Sequence, residues 1–298
     1  MPPWWAERKM HGQFLREMLE TVDKVTTWEW IRNGDLKVET EARIFAAQEQ
    51  AVRTNYIRFN IDKSVESPLC RLCGQKGKTM NHIISECMWL TQKEYKRRHD
   101  HIARLVHWTL CCKYDLSRSK KWYDHQTDGV VKNERCKILW DMNIQCDHVI
   151  EASRPDVVVV DKENNKVVIV DIASPWDHRV YEKEGEKIEK YQDFKREIGK
   201  LWGIRQQEVV PVVVGALGAV SKRLDTWLDK LGITIRTDCC RKQHYWEQQE
   251  SWGRCWKGEG EGMAQGTFSH WLWLAALVLR QLHCIDRCIV LPGNGLQN

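Results

Sequence analysis

Two aspartates, Asp156 and Asp171, stand beside valine-rich runs and could share a divalent cation. Asp156 precedes Val157–Val160, and Asp171 ends a second β-branched run after fourteen intervening residues. The turn-forming segment 163–165 separates the runs, so we expect a hairpin with both carboxylates near neighbouring strand ends. Carboxylates placed in this way bind Mg²⁺ or Mn²⁺, which supports phosphodiester hydrolysis. Asp161 ends a strand in the same way, so the pair alone is a weak signal.

A cation is needed beside such carboxylates to offset the negative charge that develops during cleavage. In the Asp/Glu-x-Lys form of these sites, the lysine lies two residues after the second acid, but Ala173 occupies that position. Lys187 and Lys190 are three residues apart on a predicted helix, hence on one face, and Tyr191 extends the set. Glutamates surround these lysines, so a salt-bridged exposed helix fits the spacing as well as a catalytic role does.

Four potential metal ligands follow the spacing Cys70-x2-Cys73-x8-His82-x4-Cys87. A turn at Gly74 would let the first two thiolates converge, and the last two ligands are about one helical turn apart. Zn²⁺ prefers four such ligands in a tetrahedron, and four filled positions leave none for water. We therefore predict a structural zinc site that stabilises a segment too short for its own core.

The charge balance favours a nucleic-acid partner only weakly. The net charge is +5, and the basic residues are more informative where they cluster, at Lys93, Lys96, Arg97 and Arg98. The cluster fits a phosphate-binding surface and a solvated helix face equally well.

Helical and strand periodicities predict an α/β fold that could position these side chains. The predicted elements are a helix at about Thr91–Cys112, a strand at Ile138–Ile144, the two valine-rich strands, a helix at about Tyr181–Trp202, a strand at Val209–Ala216, a helix at Lys222–Leu231 and an edge strand at Ile233–Arg236. The order of helix, three strands, helix and strand is that of the restriction-endonuclease-like PD-(D/E)xK core. A helical segment (1–62) and a segment with the zinc knuckle and basic helix (63–115) precede this predicted endonuclease domain (130–238).

The cellular compartment is expected to be reducing and, in particular, nuclear. The amino terminus shows no feature of a signal peptide, and the most apolar run, Trp271–Leu279, is too short to span a membrane. Metal-like spacing of cysteines also favours a reducing environment. Four cysteines outside the metal motif show no such spacing and are expected to be buried thiols: Cys111, Cys112, Cys136 and Cys146.

These landmarks together resemble the carboxy-terminal part of the polyprotein of R-two-type non-LTR retrotransposons. Those proteins carry a reverse transcriptase, a Cys-Cys-His-Cys zinc knuckle and then a restriction-like endonuclease. The resemblance covers roughly residues 8–238 and rests on the order of the motifs. The matching motifs are the zinc ligands, Arg98-His99-Asp100, Arg154-Pro155-Asp156, Asp171 and Lys187-x2-Lys190-Tyr191.

The resemblance implies that Asp156 and Asp171 bind the catalytic Mg²⁺ or Mn²⁺ and that helix lysines replace the missing strand lysine. It also implies that the knuckle and the Arg98-His99 region contact target DNA or the RNA of the element. We include Lys96, Arg97 and Arg154 among the expected nucleic-acid contacts, and a homodimer is compatible with this family. Residues 1–60 are too few for a polymerase core, so no reverse transcriptase activity is expected.

Two other functions fit the same residues. A catalytically decayed remnant would bind nucleic acid through the knuckle and basic helix without cleaving it. A resolvase-like nuclease would share the fold and prefer four-way junctions to linear duplex.

Residues 239–298 depart from the composition of the rest, with five Trp and five Cys in sixty residues. The segment Cys239–Cys255 back-translates, after one base is restored before Cys239, to LLQKAALLGTARILGKV, an amphipathic helical sequence. We therefore hypothesise a one-base deletion near Asp238; a divergent Trp-rich tail is the alternative.

Sequencing the locus tests the frameshift hypothesis. We expect that restoring a single base near Asp238 opens a helical reading frame, because Trp codons become Leu codons in the shifted frame. If no single-base restoration yields an open helical frame, the hypothesis is wrong.

Overall fold

The protein is a mixed α/β structure built around one five-stranded sheet. The computed structural model describes residues 13–33, 38–147 and 149–235. The Trp-rich tail at 239–298 and the predicted break at Gly34-Asp35 lie outside these residues. Within the described residues, no helix combines the length and apolarity that a bilayer crossing requires.

The helices and strands follow one another in this order along the chain. The part before the sheet contains α1 (Gln13–Arg16), α2 (Lys24–Asn33), α3 (Val38–Gln48), α4 (Asn55–Asn60), a π-helical turn (His82–Glu86), α5 (Met88–Leu90), a second π-helical turn (Thr91–Tyr95), α6 (Lys96–Lys113) and a 3₁₀ turn (Trp122–Asp124). The rest contains β1 (Val130–Lys132), β2 (Cys136–Trp140), β3 (Val157–Asp161), β4 (Lys166–Ala173), a 3₁₀ turn (Asp177–Arg179), α7 (Val180–Lys190), α8 (Gln192–Trp202), β5 (Gln206–Val213) and α9 (Leu224–Leu231).

The strands lie in the order β1-β2-β3-β4-β5. Neighbouring strands are antiparallel except β4 and β5, which are parallel. The predicted hairpin is confirmed: β3 pairs with β4 in a register that sets Val157 opposite Val170. Asp156 and Asp171 are therefore the next positions across the two strands.

Both faces of the sheet are covered by helices, which explains the nearly continuous apolar sequence of the central strands. On one face, α6 and α9 pack against alternate strand residues such as Val157, Val170 and Ile172. On the other face, α8 and Tyr191 pack against Ile169 and its neighbours. The side chains of β4 from Val167 onward are all buried. The helix α6, which the sequence analysis grouped with the knuckle, thus belongs to the core of the sheet.

The segment after β5 anchors the amino-terminal helices and the cysteine-rich segment to the sheet. Asp23 donates its backbone N–H to the carbonyl of Val220 at 2.8 Å, and the Gln48 amide donates to the carbonyl of Leu217 at 3.0 Å. A shared apolar cluster contains residues from α1, from the turn at 82–86 and from the ends of β4 and β5. Helix α1 and the cysteine-rich segment therefore pack directly against the sheet.

Element boundaries differ from the sequence prediction in several places. Strand β1 lies in the stretch predicted as a connection, and β2 begins earlier than expected and ends before Asp141, whose φ of +46° breaks the strand. The predicted edge strand is wrong for Ile233–Ile235, which form no strand. Ile233 instead packs into the core beneath the sheet.

The long helix predicted at about 181–202 is wrong as a single element. The chain leaves helical geometry at Tyr191, which separates α7 from α8. The Tyr191 side chain is fully buried and its hydroxyl reaches Asp171. The break thus directs the tyrosine ring into the end of the sheet.

The variant Ile169→Ala should be destabilised by about 2 to 5 kcal/mol, because this fully buried side chain would leave a cavity between β4 and α8. Chemical denaturation measures the change. Leu201→Ala on the outer side of α8, where Leu201 is half exposed, serves as the control and should cost roughly 1 kcal/mol or less. Equal losses in the two variants would contradict the packing described above.

Candidate functional site

Cys70, Cys73, His82 and Cys87 converge to form one group. Their four ligand atoms all lie within 4.8 Å of one another. The sulfurs of Cys70 and Cys87 are 3.9 Å apart, and the Cys73 sulfur is 3.3 Å from His82 Nε2. Tetrahedral bonds of about 2.3 Å to sulfur and about 2.0 Å to nitrogen would give separations of roughly 3.8 Å and 3.6 Å. The group therefore has the size of a zinc site and can hold a metal ion.

Local backbone geometry brings the four ligands together. Gly74 has a φ of +66° and donates its N–H to the Cys70 carbonyl at 2.7 Å, closing the predicted turn. At the other end, the Cys87 N–H donates to the His82 carbonyl at 2.7 Å across the π-helical turn. This wider turn places residues five apart above one another, where an α-helix would align residues three or four apart.

Metal binding would change the protonation state of the cysteine thiols in this group. Burial raises the pKa of Cys87 to about 11 and lowers the pKa of His82. Glu86 lies 4.0 Å from His82 Nδ1 and accepts hydrogen bonds from Lys76 and Asn81, so a carboxylate stands behind the imidazole. At 4.0 Å this carboxylate makes no hydrogen bond to the imidazole, whose buried Nδ1 has no hydrogen-bond partner. Bound Zn²⁺ would hold the cysteines as thiolates, because the thiolate is the form that ligates a metal.

Asp156 and Asp171 form the second group, at the end of the β3–β4 hairpin. Asp156 Oδ2 accepts the backbone N–H of Ile172 at 2.6 Å, which fixes its carboxylate against the neighbouring strand. The Asp171 side chain is 3% exposed. The two carboxylates therefore lie beside each other on neighbouring strands, as the sequence spacing predicts.

Lys187, Lys190 and Tyr191 all meet Asp171. The ammonium of Lys187 forms an ion pair with Asp171 Oδ2, and that of Lys190 lies 3.9 Å from Oδ1. The Tyr191 hydroxyl is 2.8 Å from Oδ1 and accepts from Lys190 at 2.9 Å. Ala173, which stands where a strand lysine would be expected, is fully buried. The two lysine cations beside Asp171 therefore come from the end of α7.

The two carboxylates differ in their electrostatics. Burial and the negative charge of Asp156 raise the pKa of Asp171, and the cation of Lys187 opposes this rise. Burial would also raise the pKa of Asp156, but the hydrogen bond and charge of His99 lower it. Asp171 is thus the carboxylate whose negative charge is disfavoured by its surroundings.

His99 contacts Asp156, which the sequence analysis did not predict when it placed this histidine among the nucleic-acid contacts. Its Nε2 lies 3.1 Å from Asp156 Oδ2, and its Nδ1 lies 3.1 Å from Asp100 Oδ1. Burial alone would lower the pKa of His99, but the two carboxylates raise it to about 9. His99 is therefore a cation at neutral pH. No local sequence signal could have indicated this contact, because Asp156 is 57 residues away.

The other expected nucleic-acid contacts fall into three situations. Arg98 is 3% exposed and donates to the carbonyl of Ile84 at 2.7 Å, so its guanidinium faces the interior and cannot meet a phosphate at the surface. Arg154 is exposed but held by Asp141 in a two-contact ion pair. Lys96 and Arg97 are exposed on α6.

An open cleft joins Lys96 and Arg154 to Asp156. Its volume is about 700 Å³. The cleft is lined by both charged and aromatic side chains, namely Tyr95, Lys96, His99, Asp100, Ala103, Arg104, Thr127, Trp140, Asp141, Arg154 and Asp156. Asp156 is therefore reachable from solvent between α6 and the end of β2.

Comparison of the chain with protein-family models and with curated proteins gives no match.

The variant Cys73→Ser should lose one equivalent of zinc relative to the wild-type chain, because the remaining three ligands hold the metal far more weakly. Zinc content by mass spectrometry of the purified protein is the measurement. Cys146→Ser is the control, since Cys146 lies outside the group and is partly exposed. Unchanged zinc in Cys73→Ser would refute this site.

Proposed function

We propose that this chain is a metal-dependent DNA endonuclease domain that nicks one strand and derives from a retrotransposon polyprotein. The observation that carries the proposal is the meeting of Asp156, Asp171, Lys187 and Tyr191 at the end of one hairpin. Asp156 directly precedes β3, Asp171 lies on β4, Lys187 lies on α7, and Tyr191 lies at the break between α7 and α8. Lys187 and Tyr191 each contact Asp171, while His99 and the Ile172 N–H hold Asp156.

The fold supports the proposal in its order of elements. Helix α6, the strands β2, β3 and β4, the helices α7 and α8 and the strand β5 follow the order of a restriction-endonuclease-like core, with β1 as an additional strand after α6 and with the one expected helix divided into α7 and α8. Asp156 directly precedes β3 and Asp171 lies on β4, the two antiparallel strands of the hairpin. Strand β5 runs parallel to β4 on its other side.

The carboxylate pair fits a divalent cation. Two carboxylates on adjacent strand ends are the oxygen ligands that Mg²⁺ and Mn²⁺ prefer. Each raises the energetic cost of ionising the other, as the raised pKa of Asp171 indicates, and a cation between them would remove that cost. When bound, such a cation supplies charge neutralisation and activation of water.

The remaining residues have distinct tasks. The Lys187 ammonium contacts Asp171, and we assign to it the task of offsetting the negative charge that develops on the scissile phosphate. The Tyr191 hydroxyl holds the Asp171 carboxylate in one orientation. His99, which comes from α6, holds Asp156 at 3.1 Å.

A nucleic-acid backbone is the substrate class that suits the cleft. Lys96 and Arg104 line it on one side, on the exposed part of α6. Arg97 continues the basic surface toward the cysteine-rich segment, although Glu94 lies 3.7 Å away. We assign this surface and the zinc knuckle to DNA, with RNA of the element as a second partner of the knuckle. A nuclear location and a homodimer belong to the same proposal.

Nicking of supercoiled plasmid in Mg²⁺ or Mn²⁺ tests the function. We expect the wild-type chain to nick, and Asp156→Ala and Asp171→Asn to lose the activity by more than ~100-fold, because each removes a cation ligand. Lys187→Met should lose roughly 100-fold through weaker charge stabilisation. All three variants should retain DNA binding that weakens with salt.

Asp229→Asn, an exposed carboxylate on α9, is the matched control and should nick like the wild type. Cleavage by Asp156→Ala at the wild-type rate would exclude the proposed site. If the wild type binds DNA in a salt-sensitive manner but never nicks, the chain is a non-catalytic binding protein. Preference for four-way junctions over linear duplex would indicate a resolvase-like specificity.

A further inference from the structure

A second group of metal-ligating side chains is distinct from the Asp156–Asp171 pair and from the group formed by Cys70, Cys73, His82 and Cys87. His107, Cys111 and His125 place their ligand atoms within 4.8 Å of one another. His107 Nδ1 is 2.8 Å from His125 Nε2 and 3.7 Å from the Cys111 sulfur. The three residues are 0%, 0% and 4% exposed. Burying two imidazoles and a thiol together costs free energy unless each polar atom has a partner.

The chain topology explains how the group forms. His107 and Cys111 are four residues apart on α6 and therefore share one face of the helix. The chain then leaves α6, and the 3₁₀ turn at Trp122–Asp124 returns it so that His125 faces the helix. The two imidazole rings stack with centroids 5.0 Å apart.

The separations match those of a tetrahedral zinc site. Zinc bonds of about 2.0 Å to nitrogen and about 2.3 Å to sulfur separate a nitrogen from a sulfur by roughly 3.6 Å and two nitrogens by roughly 3.3 Å. The observed values lie within about half an ångström of these. His125 Nε2 and the Cys111 sulfur both converge on His107 Nδ1, which is the arrangement expected of three atoms that share one ion. Two imidazoles and one thiol are a donor set that suits Zn²⁺ over Mg²⁺.

We propose that His107, Cys111 and His125 form a second zinc site, with a solvent molecule as the fourth ligand. Among the residues that the structure describes, no fourth Cys, His, Asp or Glu joins the group. Solvent can approach from the side of His125, which lines an open cavity of about 610 Å³ together with Arg104 and Thr127. On binding, the thiol proton of Cys111 passes to solvent and both imidazoles bind as neutral ligands.

The site would stabilise the connection between α6 and β1. This connection contains only one 3₁₀ turn among its described elements, and the proposed metal would tie its His125 to the helix. Because α6 also carries His99 and Lys96, the metal would restrict the helix that borders the acidic cleft.

Zinc content of the full chain tests the proposal. His125→Gln and Cys111→Ser should each contain one zinc fewer than the wild type, and each combined with Cys73→Ser should lose two. The readout is the difference in zinc content between each variant and the wild type. Absolute content is not used, because the five cysteines in 239–298 could bind additional zinc in every protein. The control His101→Gln changes another buried histidine of α6 outside the group and should keep the wild-type zinc content.

Cobalt substitution keeps the test decisive if His125→Gln fails to fold. A thiolate-to-cobalt absorption band should survive in Cys73→Ser and weaken in Cys73→Ser combined with Cys111→Ser, with far-ultraviolet circular dichroism confirming the fold of both proteins. Equal zinc in the wild type, His125→Gln and Cys111→Ser would overturn the proposal. Equal cobalt bands in the two cysteine variants would overturn it as well.

Discussion

The pairing of β3 with β4 is the constraint on which the meeting of Asp156 and Asp171 depends. Side chains alternate between the two faces of a strand, so a slip of one residue would turn Asp171 to the opposite face and away from Tyr191 and Lys187. The observed register is held by apolar packing on both faces and by the bond from the Ile172 N–H to the Asp156 carboxylate. Hydrophobic packing thus sets the position of a polar site that could not assemble by its own attraction.

Burying these charges carries an energetic cost that the site only partly offsets. Asp171 is almost fully enclosed, and an unpaired buried carboxylate would be strongly destabilising. Lys187, Lys190 and Tyr191 contact Asp171. His99 contacts Asp156. Asp161 shows the contrasting case: its carboxylate accepts hydrogen bonds from Asn164 in the hairpin turn and from the Tyr114 hydroxyl at the end of α6, so these contacts join the hairpin to the helix. Equivalent strand-end positions therefore acquire different roles from their neighbours.

The features predictable from the sequence were those with short-range signals. The valine-rich runs and turn residues predicted the hairpin, and the spacing from Cys70 to Cys87 predicted a ligand group that the structure brings together. The break at Tyr191 could not be predicted, because it arises from a tertiary contact with Asp171. The prediction that Arg98 contacts nucleic acid at the surface was wrong for a similar reason. Tertiary packing decides which face of α6 is buried, and it directs this arginine into the interior.

The same limit explains why Cys111 was expected to be an ordinary buried thiol. It is buried as expected, but its neighbour His125 comes from an irregular connection whose path no periodicity describes. Helix α6 links all three groups, since it follows the Cys87 end of the first, carries His99 to Asp156 and presents His107 and Cys111. A helix turns about 100° per residue, so a small rotation would separate His99 from Asp156. Ligand groups near both ends of α6 would resist that rotation more effectively than apolar packing, which tolerates small sliding movements.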